Sequence, residues 1–83
     1  MIGYEKVFAV NLGKKLAEQI YGKVEVSVVY DELQVHIQCW ADIDCVIKID
    51  NFTERIVNGW STDYAAYEIL ERYRRIIIKR YFR

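Results

Sequence analysis

The hydrophobic period of this 83-residue chain changes twice, from about four to two and back again, and few small folds accommodate that order. Phe8, Leu12, Leu16 and Ile20 recur every fourth position, with Glu5, Lys14, Lys15 and Glu18 on other sides. That spacing predicts an amphipathic helix over residues 4–21, stopped by Gly22. Gly13 inside it costs about 1 kcal/mol relative to alanine. Either another backbone packs closely on the Ala9, Gly13, Ala17 strip, or the glycine is simply tolerated.

From residue 24 the alternation is strict. Val24, Val26, Val28 and Tyr30 form one set, Leu33, Val35, Ile37 and Cys39 a second, and Ile43, Cys45, Ile47 and Ile49 a third. Three strands follow, each with one apolar side. A tight Asp31-Glu32 connection places Tyr30 opposite Leu33, Val28 opposite Val35, Val26 opposite Ile37 and Val24 opposite Cys39. Matching the third strand sets Cys39 against Cys45, Ile37 against Ile47 and Val35 against Ile49. The product is an antiparallel meander, apolar on one side, with Glu25, Ser27, Val29, Gln34, His36, Gln38, Trp40, Val46, Lys48 and Asp50 on the other.

Thr53 can cap a short helical turn through Ile56 and Val57 before Asn58-Gly59 ends it, although a short strand also fits this stretch. Ser61 or Thr62 then caps a second long helix with the stripe Ala66, Ile69, Leu70, Tyr73, Ile76, Ile77 and Tyr81. Two helices with one apolar stripe each need a common surface, and the meander offers it. The expected fold is a two-layer α+β sandwich, helix-strand-strand-strand-helix with a possible extra helix near 53–58, both long helices on one face of the sheet. At this length, burying roughly 64% of the unfolded surface, residues 1–83 make a single domain.

Composition narrows the function. Twelve Lys and Arg balance twelve Asp and Glu, so no global field attracts nucleic acid or an anionic membrane. No apolar run suits a membrane span or a secretory signal, and two cysteines are too few for a disulfide scaffold, so a cytoplasmic location is expected. Cys39 and Cys45 are read as reduced, buried thiols, with a cross-strand disulfide as the alternative. His36 is the sole histidine. It falls on the polar side of the sheet near Ser27 and Lys48, away from both cysteines, so a Cys-His nucleophile pair fails on parity. Ser27, His36 and Asp50 can be written as a triad, but an open strand face lacks an oxyanion hole. Asp42 and Asp44 alone are a poor calcium site. No catalytic, cofactor-binding or metal-binding residues are assigned, and no enzyme activity is expected.

Two constellations remain. Tyr67, Ile78 and Phe82 lie off the main stripe of the last helix, with Glu71 and Arg74 between them, and form a candidate partner or dimer surface. Arg72, Arg74, Arg75, Lys79, Arg80 and Arg83 put six of the twelve cations in the last twelve positions, interleaved with Tyr73, Tyr81 and Phe82, and are candidate nucleic-acid contacts. Glu68–Arg72 and Glu71–Arg75 pairs would consume part of that charge. The expected function is a nonenzymatic protein-interaction or accessory domain that self-associates or binds another protein; the alternative is a nucleic-acid-binding domain using the last helix.

The order helix, three strands, helix resembles that of double-stranded-RNA-binding domains. Those domains carry a Lys-rich motif where this last helix opens Ser61-Thr62-Asp63-Tyr64, with an acid and no lysine. The run GWSTDYAAYEILERYRRIIIKRYF, residues 59–82, resembles the ends of small uncharacterised proteins from phages and prophages of Gram-positive bacteria, a resemblance that implies no activity.

Overall fold

In the computed structural model, residues 2–39 and 43–81 are described, without the side chains of Ile2 and Tyr81. The order is α1 (Ile2–Ala17), β1 (Gly22–Val29), β2 (Glu32–Cys39), β3 (Ile43–Ile49), α2 (Phe52–Val57) and α3 (Thr62–Tyr81). The strands form one antiparallel meander in the order β1-β2-β3. The α+β sandwich read from the sequence is therefore the fold.

Strand parity explains where the core sits. Leu33, Val35 and Ile37 of β2 and Ile43, Cys45, Ile47 and Ile49 of β3 are buried, while Val24, Val26 and Val28 of the edge strand β1 are half-buried against them. Phe8, Leu12, Leu16 and Ile20 close on this surface from α1 and its following turn, and Ala65, Ala66 and Ile69 from α3. Both long helices lie on the apolar face, α1 over β1 and beside α3, which also meets β3. Of the α3 stripe, Leu70, Tyr73, Ile76 and Ile77 are half-buried, and Ala65 joins it unanticipated.

Both strand registers differ by two residues from those read from the sequence. Val28 faces Leu33, Val26 faces Val35 and Val24 faces Ile37; across β2 and β3, Val35 faces Ile47, Ile37 faces Cys45 and Cys39 faces Ile43. Cys39 and Cys45 are thus diagonal neighbours rather than opposite, and both are free thiols. A slip of two leaves every side chain on its own face, so the dry and wet sides are unchanged. The turn decides the register. Its two residues are Tyr30 and Asp31, both at positive φ (49° and 63°), as a type I′ turn requires. Tyr30 is consequently 99% exposed instead of extending the apolar set.

Asp31 also explains α2. Its backbone carbonyl accepts the Phe52 amide at 2.9 Å, and its carboxylate accepts both the Thr53 amide (2.9 Å) and the Thr53 hydroxyl. Asn51, in the left-handed region, is the N-cap residue but makes no side-chain capping bond. Thr53 therefore does not cap the helix from within; a residue 22 positions earlier supplies the acceptor, and the helical reading of this stretch is the one realised. α2 drops Phe52 into the core, edge-on to Phe8 at 5.1 Å, while Trp60 stacks on Phe8 at 5.6 Å.

α1 ends at Ala17, earlier than expected, and Gly22 opens β1 instead of merely stopping a helix. No backbone packs on Gly13: its nearest foreign neighbour is the Val26 side chain, 3.7 Å from where a Cβ would stand.

Candidate functional site

On the outer side of the sheet several polar side chains partner one another. His36 stands opposite Glu25 and Val46, with Ser27 opposite Gln34, so the Ser27–His36 neighbourhood expected from the sequence is displaced by the register change. His36 instead shares a hydrogen bond with Asp44, which holds that carboxyl below its ordinary value. Lys23 pairs with Glu25 at 3.0 Å and likewise lowers its pKa, and Gln34 donates to Glu32. Asp50 is exposed, and its carbonyl accepts a bond from Arg55. Ser27, His36 and Asp50 therefore form no relay. Trp40 and Asp42 lie outside the described residues.

On the dry side, Cys39 Sγ and the Tyr73 hydroxyl meet at 2.9 Å. Burial pushes the Tyr73 phenol well above its usual range, the thiol contact adds to that, and burial also raises Cys45. The raised Cys45 thiol is held in its protonated, less nucleophilic form. Among the described residues no three His, Cys, Asp or Glu side chains gather as a metal site, and no buried side-chain polar atom lacks a partner.

Arg72, Arg75 and Lys79 recur at i, i+3 and i+7 along one side of α3, with Arg74 and Arg80 off that row. Arg72 pairs with Glu68 at 3.1 Å and donates to the Lys48 carbonyl at the β3 edge. Glu68 also holds Arg55, whose guanidinium sits 5.3 Å from the Trp60 ring. Arg74 pairs with Glu71 at 3.5 Å, so the expected Glu71–Arg75 pair is replaced by an i,i+3 pair. Arg80 lies near enough to Asp44 and Cys45 for its charge to act on both, adding slightly to the lowering of Asp44 and offsetting part of the rise of Cys45. Arg75 and Lys79 are exposed, one turn apart. Arg83 and Phe82 lie outside the described residues.

The side of α3 turned from the sheet is different. Tyr64 and Tyr67 are each 67% exposed and Ile78 is 56% exposed. With Glu71 and Arg74 they follow a 3-4-3-4 spacing, the seam of a coiled-coil helix. Sequence reasoning found Tyr67 and Ile78 but missed Tyr64, which the same spacing would have supplied. Two shallow grooves flank this row. One, about 280 Å³, runs toward α1 past Lys15, Asp63 and Leu70; the other, about 530 Å³, runs past Trp60, Glu68 and Arg72. Tyr67 and Glu71 border both, so they stand on a ridge between two hollows. The α3 start is held in place by Ser61, whose hydroxyl accepts the Tyr64 amide, and by a 2.7 Å Lys15–Asp63 pair that raises the Lys15 pKa.

A second apolar strip, Tyr4, Val7 and Val10, is exposed on α1, and Tyr4 borders a notch lined by Phe52, Ile56 and Val57. Its three-residue spacing was present in the sequence but outside the stripe that defines the helix.

No protein-family model matches this chain, and no curated protein or solved structure matches it significantly. No described helix is long and apolar enough to cross a membrane.

Proposed function

We propose that this domain is a nonenzymatic protein-interaction module that associates with a second copy of itself through the outward face of α3. The observation that carries the reading is the alignment of Tyr64, Tyr67 and Ile78, all more than half exposed, on the side of α3 with no intramolecular neighbour layer. A helix whose apolar residues occupy two opposite sides has more to bury than one sheet can cover. The cytoplasm is the compartment that suits its two free thiols.

The nucleic-acid alternative has less support. Among the described residues of α3, Arg72 and Arg74 are engaged with carboxylates and Arg80 lies near Asp44 and Cys45, so Arg75 and Lys79 make a thin phosphate footprint.

Sedimentation equilibrium tests the proposal. The wild-type chain is expected to shift from monomer toward dimer as concentration rises, and the double variant Tyr67→Asp/Ile78→Asp to weaken association at least about tenfold. The variant's unfolding curve should stay close to wild type, because both positions are exposed. A wild-type chain monomeric at millimolar concentration contradicts the proposal, and salt-sensitive binding of an RNA or DNA duplex by that monomer would favour the alternative.

A further inference from the structure

α3 is divided by charge along its length, and its outward row carries one charge of each sign, Glu71 and Arg74. From Asp63 to Glu71 the helix carries three acids and no base; from Arg72 to Arg80 it carries five bases and no acid. A parallel partner helix would set acid on acid and base on base. An antiparallel one reverses this, and the row itself fixes the register. When Tyr67 is set opposite Ile78 of the second copy, Glu71 falls opposite Arg74 of that copy, since both pairs of positions share one midpoint. Apolar meets apolar and acid meets base in a single arrangement.

Resting on the self-association reading above, we infer that two copies pair as an antiparallel α3 seam about a two-fold axis that passes between Glu71 and Arg74. The contact is isologous: each residue pair occurs twice, and the assembly closes at two copies. At the centre, two Glu71 and two Arg74 side chains form a square of alternating charge, built from the Glu71–Arg74 pair that already exists at 3.5 Å within each helix. Tyr67, on its ridge between two hollows, is placed to enter the hollow beside the facing helix, as ridge-into-groove packing requires. The contacting helix is 20 residues long, about 30 Å, so the interface is small, roughly 500 Å² per copy, and the dimer is a reversible one.

Charge exchange between two variants tests the seam. Glu71→Arg leaves four cations at the centre of a homodimer and Arg74→Glu leaves four anions, so each variant alone should associate at least about tenfold more weakly than wild type. Mixed in equal amounts they should recover a heterodimer near wild-type affinity, and Glu71→Arg/Arg74→Glu in one chain should associate like wild type. Recovery on mixing cannot arise from misfolding, which makes circular dichroism of each variant a control and not the readout. Single variants that dimerise as well as wild type would overturn the antiparallel seam. If Tyr67→Asp/Ile78→Asp still dissociates the chain in that case, the association face stands and only its geometry fails; a wild-type monomer would remove both.

Discussion

Gly13 and Gly22 are both interruptions in the sequence, yet their surroundings give them opposite tolerances. At Gly13 an added Cβ meets only a methyl of the Val26 side chain at 3.7 Å, an ordinary contact, and the residue is helical. Gly13→Ala is therefore expected to stabilise the domain by about 0.5–1 kcal/mol, by helix propensity and a less flexible unfolded chain. At Gly22 a Cβ would fall 2.4 Å from the Gln38 carbonyl oxygen and 2.7 Å from Cys39 Cα, at a φ of 157°. Gly22→Ala should cost at least about 2 kcal/mol, since the obstructing atoms are backbone. Urea unfolding of the two variants checks the pair, and a destabilising Gly13→Ala would mean that α1 sits closer to β1 than described. The sequence marked both glycines as breaks. It could not mark the difference, because Gly22 is constrained by a strand 17 residues away whose register depends on the turn between them.

At the scale of elements, side-chain parity was legible and register was not. An alternating pattern is satisfied equally well by slips of two residues, so Val26 reads as a partner for Val35 or for Ile37. The deciding residue, Tyr30, is aromatic and continues the apolar alternation in the sequence while occupying the turn in the structure. What fixes it is Asp31, tied to Phe52 and Thr53 and so to α2. That link is nonlocal and has no sequence signature. The aromatic group Phe8, Phe52 and Trp60 was hidden for the same reason.

The Asp31 link also gives a pH dependence. Hydrogen bonds from the Thr53 side chain and then its amide hold the Asp31 carboxyl below its unfolded pKa of about 4. The unfolded chain then binds more protons in acid, so this contribution is present above that value and lost as pH falls through the folded one. Asp31→Asn keeps a neutral acceptor but cannot ionise. The variant is expected to melt below wild type at pH 7, with the gap narrowing toward pH 3; Glu25 and Asp44, also lowered, keep the remaining acid sensitivity. A gap that stays constant from pH 7 to pH 3 would show that the link acts through shape alone.

For the whole molecule, the two layers leave two large surfaces, and their chemistry separates them. The sheet's outer side is mostly polar, with Lys23–Glu25, His36–Asp44 and Glu32–Gln34 contacts around the exposed Val29 and Val46. The outer side of α3 exposes Tyr64, Tyr67 and Ile78, and the molecule, 40 Å long and about 20 Å across, is elongated as a chain built around a 20-residue helix must be. Tyr67 and Ile78 were legible as a patch because they fall off the core stripe; the grooves beside them were not, since α1 and Trp60 reach them from distant parts of the chain. Backbone amide shifts followed by NMR across a concentration series read this claim directly. Dilution is expected to move resonances of Tyr64, Tyr67, Glu71, Arg74 and Ile78 while those of Glu25, His36 and Val46 stay fixed. Movement concentrated on the sheet's outer side, with α3 unchanged, would contradict it.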